Sequence, residues 1–147
     1  MTTKRPQMLG ILAATLVAAP LPVIAQDTGA ADVAPVVSIE LNSTVQGDQA
    51  CQLSFLLNNT LDTDIDKLVL ETVLLTKDGG VDRLTLFDMR DLPVGKPRVR
   101  QFNVPQLSCA DLGQVLINGV ATCDGLTPEA CSDAITMSSR IDIEVLG

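Results

Sequence analysis

Along most of this chain apolar and polar residues alternate with a period of two, as in a β-strand with one buried face. Val37-Ser38-Ile39-Glu40-Leu41-Asn42 alternates in this way. So does Cys51-Gln52-Leu53-Ser54-Phe55, which puts Cys51, Leu53, Phe55 and Leu57 on one side. Gly47-Asp48, inside the Ser43–Gln49 connection, supplies a turn between the two, and Asn58-Asn59-Thr60 ends the second. Leu68–Thr76 (LVLETVLLT) is apolar on both faces and is expected at the centre of a sheet. Lys77-Asp78-Gly79-Gly80 is a hairpin turn, because Asp-Gly and Gly-Gly accept the positive φ angles that such turns need. Val81–Phe87 returns antiparallel.

The later segments continue in the same style. Asp91–Lys96 (DLPVGK) reads as a loop. Pro97–Val104 (PRVRQFNV) reads as a strand, and the prolines that bound it, Pro97 and Pro105, place it at a sheet edge, where no ladder donor is required. Gln114–Cys123 (QVLINGVATC) is a strand broken or bulged at Gly119. Thr127 caps, and Pro128 opens, a single helical turn. Ile135–Val145 reads as one long final strand, with Ile135, Met137, Ser139, Ile141, Ile143 and Val145 on one face. The total is about seven strands at the spacing of an all-β sandwich, in one domain spanning 35–147.

The first twenty-five residues follow a different rule. Lys4 and Arg5 precede an uninterrupted apolar run, Met8–Ala19, and Pro20 and Pro22 then break any helix before Val23-Ile24-Ala25. That order of charge, apolar run and small residue is a secretory signal peptide cut after Ala25. The competing reading is an uncleaved anchor, since Met8–Ala25 approaches the shortest span of a bilayer core. Thr3-Lys4-Arg5 is not a twin-arginine pair, so the general export route is expected. Residues 26–34 (QDTGAADVA) read as a flexible leader. The mature chain is expected in the periplasm or outside the cell.

Charge and composition then narrow the function classes. Ten bases face eighteen acids, and loss of Lys4 and Arg5 takes the net charge from −8 to −10. A chain that acidic repels nucleic acid and anionic membrane surfaces, which attract basic patches. There is no histidine, which removes Ser-His-Asp and Cys-His catalysis and nearly all zinc, copper and non-haem iron sites. Phe55, Phe87 and Phe102 are the only aromatic residues, so stacking platforms are scarce and the three are expected in the core.

Four cysteines in an exported chain point to disulfides. Three pairings are possible for Cys51, Cys109, Cys123 and Cys131. Cys123 and Cys131 flank a short polar loop that can close on itself, which favours Cys123–Cys131 and leaves Cys51–Cys109 as a long-range staple. No C-x-x-C spacing is present, which argues against a redox or metal role.

Several segments carry a resemblance. Phe55-Leu56-Leu57-Asn58-Asn59-Thr60, the strand Leu68–Thr76, Lys77-Asp78-Gly79, Leu92-Pro93-Val94-Gly95-Lys96 and Phe102 resemble small bacterial exported domains of immunoglobulin-like type. Leu107-Ser108-Cys109 and Val120-Ala121-Thr122-Cys123, with Cys131 following, are similar to uncharacterised exported proteins of alphaproteobacteria. The resemblance covers most of the mature chain. It implies an immunoglobulin-like antiparallel β-sandwich, and it brings no activity and no catalytic residue with it.

Candidate chemistry is sparse. Asp62, Asp64 and Asp66 form the one cluster with metal-ligand spacing, since alternate acids in a loop can coordinate Ca²⁺. The EF-hand pattern fails, because its Gly and Glu positions hold Lys67 and Val73. Arg98 and Arg100, in an otherwise acidic chain, are candidates to pair with a partner's carboxylate, or else to guard an edge strand against aggregation. No cofactor is expected. The reading is an exported, non-catalytic sandwich that binds or supports another envelope protein through the edge strand Pro97–Val104 or the Asp62–Asp66 loop. The alternatives are a Ca²⁺-dependent adhesion or stress module and a small envelope enzyme working through carboxylates. An exposed apolar patch would favour the first reading, converging aspartate oxygens the second, and a concave pocket with two convergent acids the third.

Overall fold

The computed structural model describes residues 1–2 and 34–147. The expected signal peptide and leader lie outside the described residues, apart from their first two positions and Ala34. Alternation in the sequence becomes alternation in burial. Val37, Ile39 and Leu41 of β1 (Val37–Gln46) are solvent-free, as are Cys51, Leu53, Phe55 and Leu57 of β2 (Ala50–Asn59). The chain continues through β3 (Ile65–Thr76), β4 (Val81–Leu92), β5 (Arg98–Pro105), β6 (Leu112–Asp124), the helix α1 (Pro128–Ala134), β7 (Ile135–Ser139) and β8 (Glu144–Leu146).

These strands make two four-stranded sheets that face one another. One has the order β5-β2-β1-β7, and the other β4-β3-β6-β8. The fold is therefore an all-β sandwich with two disulfides, of eight strands where the sequence predicts about seven. β3 is central and β5 is an edge strand, each for the reason its composition gives. The extra strand comes from the end of the chain. Ile135–Val145 is expected to be one strand, but the chain bends after Ser139, where Arg140 N–H donates to Leu41 O. β7 pairs parallel with β1 in one sheet, and β8 pairs parallel with β6 in the other. Inward alternation survives the crossing, because Ile135, Met137, Ile141, Ile143 and Val145 all pack on the core. These parallel pairings depart from the wholly antiparallel sheets of the immunoglobulin scheme.

The core lies between the sheets. Its aromatic centre is Phe55, Phe87 and Phe102, with ring centroids 5.8 Å apart for Phe55–Phe87, 6.0 Å for Phe55–Phe102 and 4.3 Å for the stacked Phe87–Phe102 pair. Fully burying a side chain of this class is worth about 1.5–3 kcal/mol. Gly79, at φ 84°, closes the β3–β4 hairpin as the Asp-Gly signal requires. β6 slips register on either side of Gly119, which agrees with the bulge expected there. The helix is capped by Thr127, whose Oγ1 accepts from Ala130 N–H at 3.3 Å. Its buried Cys131 anchors it to β6 through Cys123.

Candidate functional site

The cysteines form Cys51–Cys109 and Cys123–Cys131, with sequence separations of 58 and 8. No cysteine is free. The first bridge ties the start of β2 to the segment before β6, and the second closes the loop around α1.

The acidic candidates do not converge. Asp64 Oδ1 accepts from Val94 N–H at 2.7 Å and so holds the Pro93–Lys96 loop. Asp62 accepts from the neighbouring Thr63 hydroxyl, and Asp66 stands exposed on β3. Among the described residues no group of three or more Asp, Glu, His or Cys side chains could hold a metal ion. The Asp62–Asp66 segment serves as a connection in which Asp64 is engaged by the Val94 N–H.

Arg98 and Arg100 are likewise turned to internal use. The register sets Arg98 opposite Leu57 and Arg100 opposite Phe55, on the side of β5 that faces the other sheet. Arg100 Nε donates to Met89 O at 2.7 Å, and its Nη2 donates to Asp91 O and Oδ1, each at 3.0 Å. Arg98 Nη2 lies 3.2 Å from Asp91 Oδ2. From the other side, Arg83 of β4 donates to Pro105 O of β5 at 2.8 Å. Two edge strands of opposite sheets are thus stitched together by arginines. Arg98 and Arg100, the candidates for a partner's carboxylate, both contact Asp91 of the same chain. Inward-turned charge also discourages strand addition at this edge.

What the sequence does not single out is the difference between the two outer faces. The face made by β5, β2, β1 and β7 is lined mostly by polar side chains, Ser38, Glu40, Gln52, Asn58, Gln101 and Asn103, with Leu56 and the exposed Val45 and Val99 scattered among them. Its polar side chains bond to one another: Gln52 Nε2 donates to Asn103 Oδ1 at 3.1 Å, and Gln101 Nε2 to the Ser54 hydroxyl at 3.0 Å. The opposite face is apolar. Register places Leu84, Val73, Leu116 and Leu146 in one row across all four strands of the β4-β3-β6-β8 sheet. Val81 and Leu75 pair in the neighbouring row, and Leu86 lies on the other side. Val73 is only 6% exposed although it lies outside the inter-sheet core cluster, between Leu84 and Leu116 in this row. Leu84 and Leu86 remain 66% and 60% exposed, and Val81 69%. The signal was present in β3, apolar on both faces, and in the Leu84 and Leu86 positions, out of phase with the inward Phe87.

Three carboxylates sit among these side chains, Glu71 opposite Leu86, Asp88 opposite Val69 and Glu144 opposite Gln114. Among the described residues none of them has a cationic partner within 4.0 Å. Elsewhere, a shallow cleft of about 390 Å³ at the β3–β4 turn is lined by Lys77, Asp78, Asp82 and Asp111. The Thr76 hydroxyl bonded to Asp78 is the main reason its carboxyl is held below the ordinary 3.8. A general acid working near neutrality needs the opposite shift.

No protein-family model matches this chain, and no curated protein does. Among solved structures the chain is similar to IrmA from Escherichia coli, with 13% identity and a TM-score of 0.55 over 70% of this chain and 91% of that one. At that identity the likeness is one of fold.

Proposed function

We propose that this is an exported, non-catalytic envelope protein whose task is to bind another protein. The observation that carries the reading is the outward apolar row of Leu84, Val73, Leu116 and Leu146 with Leu86 and Val81 beside it. A soluble domain gains nothing from leaving such a face in water, and contiguous apolar patches rimmed by polar groups mark interaction sites. Two features support the compartment in this reading. The amino-terminal segment has the make-up of an export signal. All four cysteines are used in disulfides, which the cytosol would keep reduced.

Absence of histidine weighs against triad catalysis. Because the arginines of β5 are committed to β4, the binding surface in this reading is a sheet face and not the β5 edge. The test is affinity capture from native envelope extract with the mature, oxidised chain, read by mass spectrometry. One stoichiometric partner is expected. Recovery of none would overturn the reading.

A further inference from the structure

We infer that the outer face of the β4-β3-β6-β8 sheet is the seat of a cationic amphipathic helix contributed by a partner protein, an inference that rests on the binding reading above. The shape argument comes from register. Leu84, Val73, Leu116 and Leu146 lie in line across four strands, and at ~4.8 Å between strands the row is ~14 Å long. Two to three helical turns at ~5.4 Å each match that length, so apolar residues at i, i+4, i+7 and i+11 fall along it. Packing a helix on an apolar sheet face is the standard way for both elements to lose water.

The charge argument chooses the partner. Glu71, Asp88 and Glu144 rise from the same face, with Asp82 at the bulge between Val81 and Arg83. Asp82 is taken by Arg83. The first three have only neutral donors near them: Asn118 Nδ2 is 3.5 Å from Glu71, Gln114 Nε2 is 2.9 Å from Glu144, and the Arg90 backbone N–H is 2.9 Å from Asp88. Lys67 and Arg90 lie toward one end, beyond the row of Val69 and Asp88. Lysines or arginines flanking the apolar stripe of an incoming helix would meet Glu71, Asp88 and Glu144. A second copy of this chain would bring the same carboxylates to the interface and a mature net charge of −10, and an anionic lipid surface would be repelled.

The experiment is a titration of the mature, oxidised protein followed by backbone amide NMR. The probe is a 14-residue amidated Leu/Lys amphipathic peptide, with a Leu/Glu peptide of the same pattern as its control. Shifts are expected on the outward residues of β3, β4, β6 and β8. Affinity should weaken at least tenfold in Leu84→Asn/Leu86→Asn and at least threefold in Glu71→Gln/Asp88→Asn/Glu144→Gln. Neutralising Asp48, Asp62 and Asp133, which are exposed and lie outside β3, β4, β6 and β8, should change it less than twofold. Amide spectra of the free variants check that each is folded.

Shifts on the amide-lined face, equal binding of the Leu/Glu peptide, or unchanged affinity in the leucine variant would each overturn the inference. So would a dimer in sedimentation, or binding to phosphatidylcholine vesicles, that disappears in Leu84→Asn/Leu86→Asn. A partner captured from the envelope as well by Leu84→Asn/Leu86→Asn as by the parent would refute this surface while leaving the binding function standing. Failure to capture any partner refutes both.

Discussion

Arg100 of β5 reaches across the open side of the sandwich to Asp91 of β4, with Nη2 at 3.0 Å from both the carboxylate Oδ1 and the backbone carbonyl. The same guanidinium donates through Nε to Met89 O, on a strand of the opposite sheet. One side chain therefore does for two edge strands what ladder hydrogen bonds do inside a sheet. It closes one side of the sandwich without making it a barrel.

Arg100→Met keeps the aliphatic stem and removes the donors. It leaves Met89 O without its partner, and an unmet part-buried acceptor costs about 1–3 kcal/mol. Urea unfolding should show a loss of that size, with Arg98→Met losing less because Arg98 makes no bond to Met89. Equal losses would mean that the Met89 contact is unimportant.

The two disulfides should differ in worth by loop length. In the chain-entropy model a closed loop of 58 residues gives about 4 kcal/mol and one of 8 about 2.5 kcal/mol. Cys51→Ala/Cys109→Ala should lower the denaturant midpoint more than Cys123→Ala/Cys131→Ala, which loosens only the α1 loop. The reverse order would assign the greater constraint to the short bridge.

Asn59 is buried, and its side chain makes three bonds: Nδ2 to Leu92 O at 2.8 Å and to Thr63 O at 2.9 Å, and Oδ1 from Leu61 N–H at 2.9 Å. It ties the end of β2 to the end of β4 and shapes the Leu61–Asp64 connection. Asn59→Ala orphans three backbone groups, and a loss of about 2–4 kcal/mol in chemical unfolding is expected. Asn58→Ala, one residue away on the outer face, is the control and should cost far less.

Acid should be the one pH limb that matters. Arg140 donates to Glu40 at 2.9 Å and, with Asn42, holds its carboxyl below the ordinary 4.5. Asp91 is held below 3.8, chiefly by its hydrogen bond from Arg98, and Asp78 is held below 3.8 by Thr76. A carboxylate whose folded pKa is depressed contributes stability above its unfolded value and loses it as pH falls through the folded value. With no histidine, no side chain of the kind that ordinarily titrates between pH 5 and 8 is present. The thermal midpoint should be level from pH 7 to about pH 5 and fall below about pH 4.5. Glu40→Gln should make that fall shallower, and a midpoint that fell already between pH 7 and pH 6 would contradict the account.

Much of the sandwich was legible because a period of two survives translation into burial almost residue by residue. Leu68–Thr76 announced its central place by being apolar on both sides, and Pro97–Val104 announced an edge by the prolines that bound it, Pro97 and Pro105. The crossing between β7 and β8 left no such mark, because inward alternation continues from Ile135 to Val145 while the strand changes sheets. The contacts that Arg98, Arg100 and Asp64 make within the fold were hidden for a related reason. Spacing along a strand tells which residues share a face, but not that Asp91 or the Val94 N–H waits opposite. The apolar outer face could have been read from Leu84 and Leu86 once the phase was set by Phe87. It became visible only when register lined up Leu84, Val73, Leu116 and Leu146 from four distant segments.

The most direct measurement places a photoreactive p-benzoylphenylalanine at position 86, on the apolar face, or at position 101, on the amide-lined face, in the native host. Both sites are exposed, so either chain should fold. Irradiation of intact cells should give one discrete adduct with an envelope protein from position 86 and none from position 101. An adduct from 101 alone, or the same adducts from both positions, would contradict the claim that the β4-β3-β6-β8 face is where this protein meets its partner.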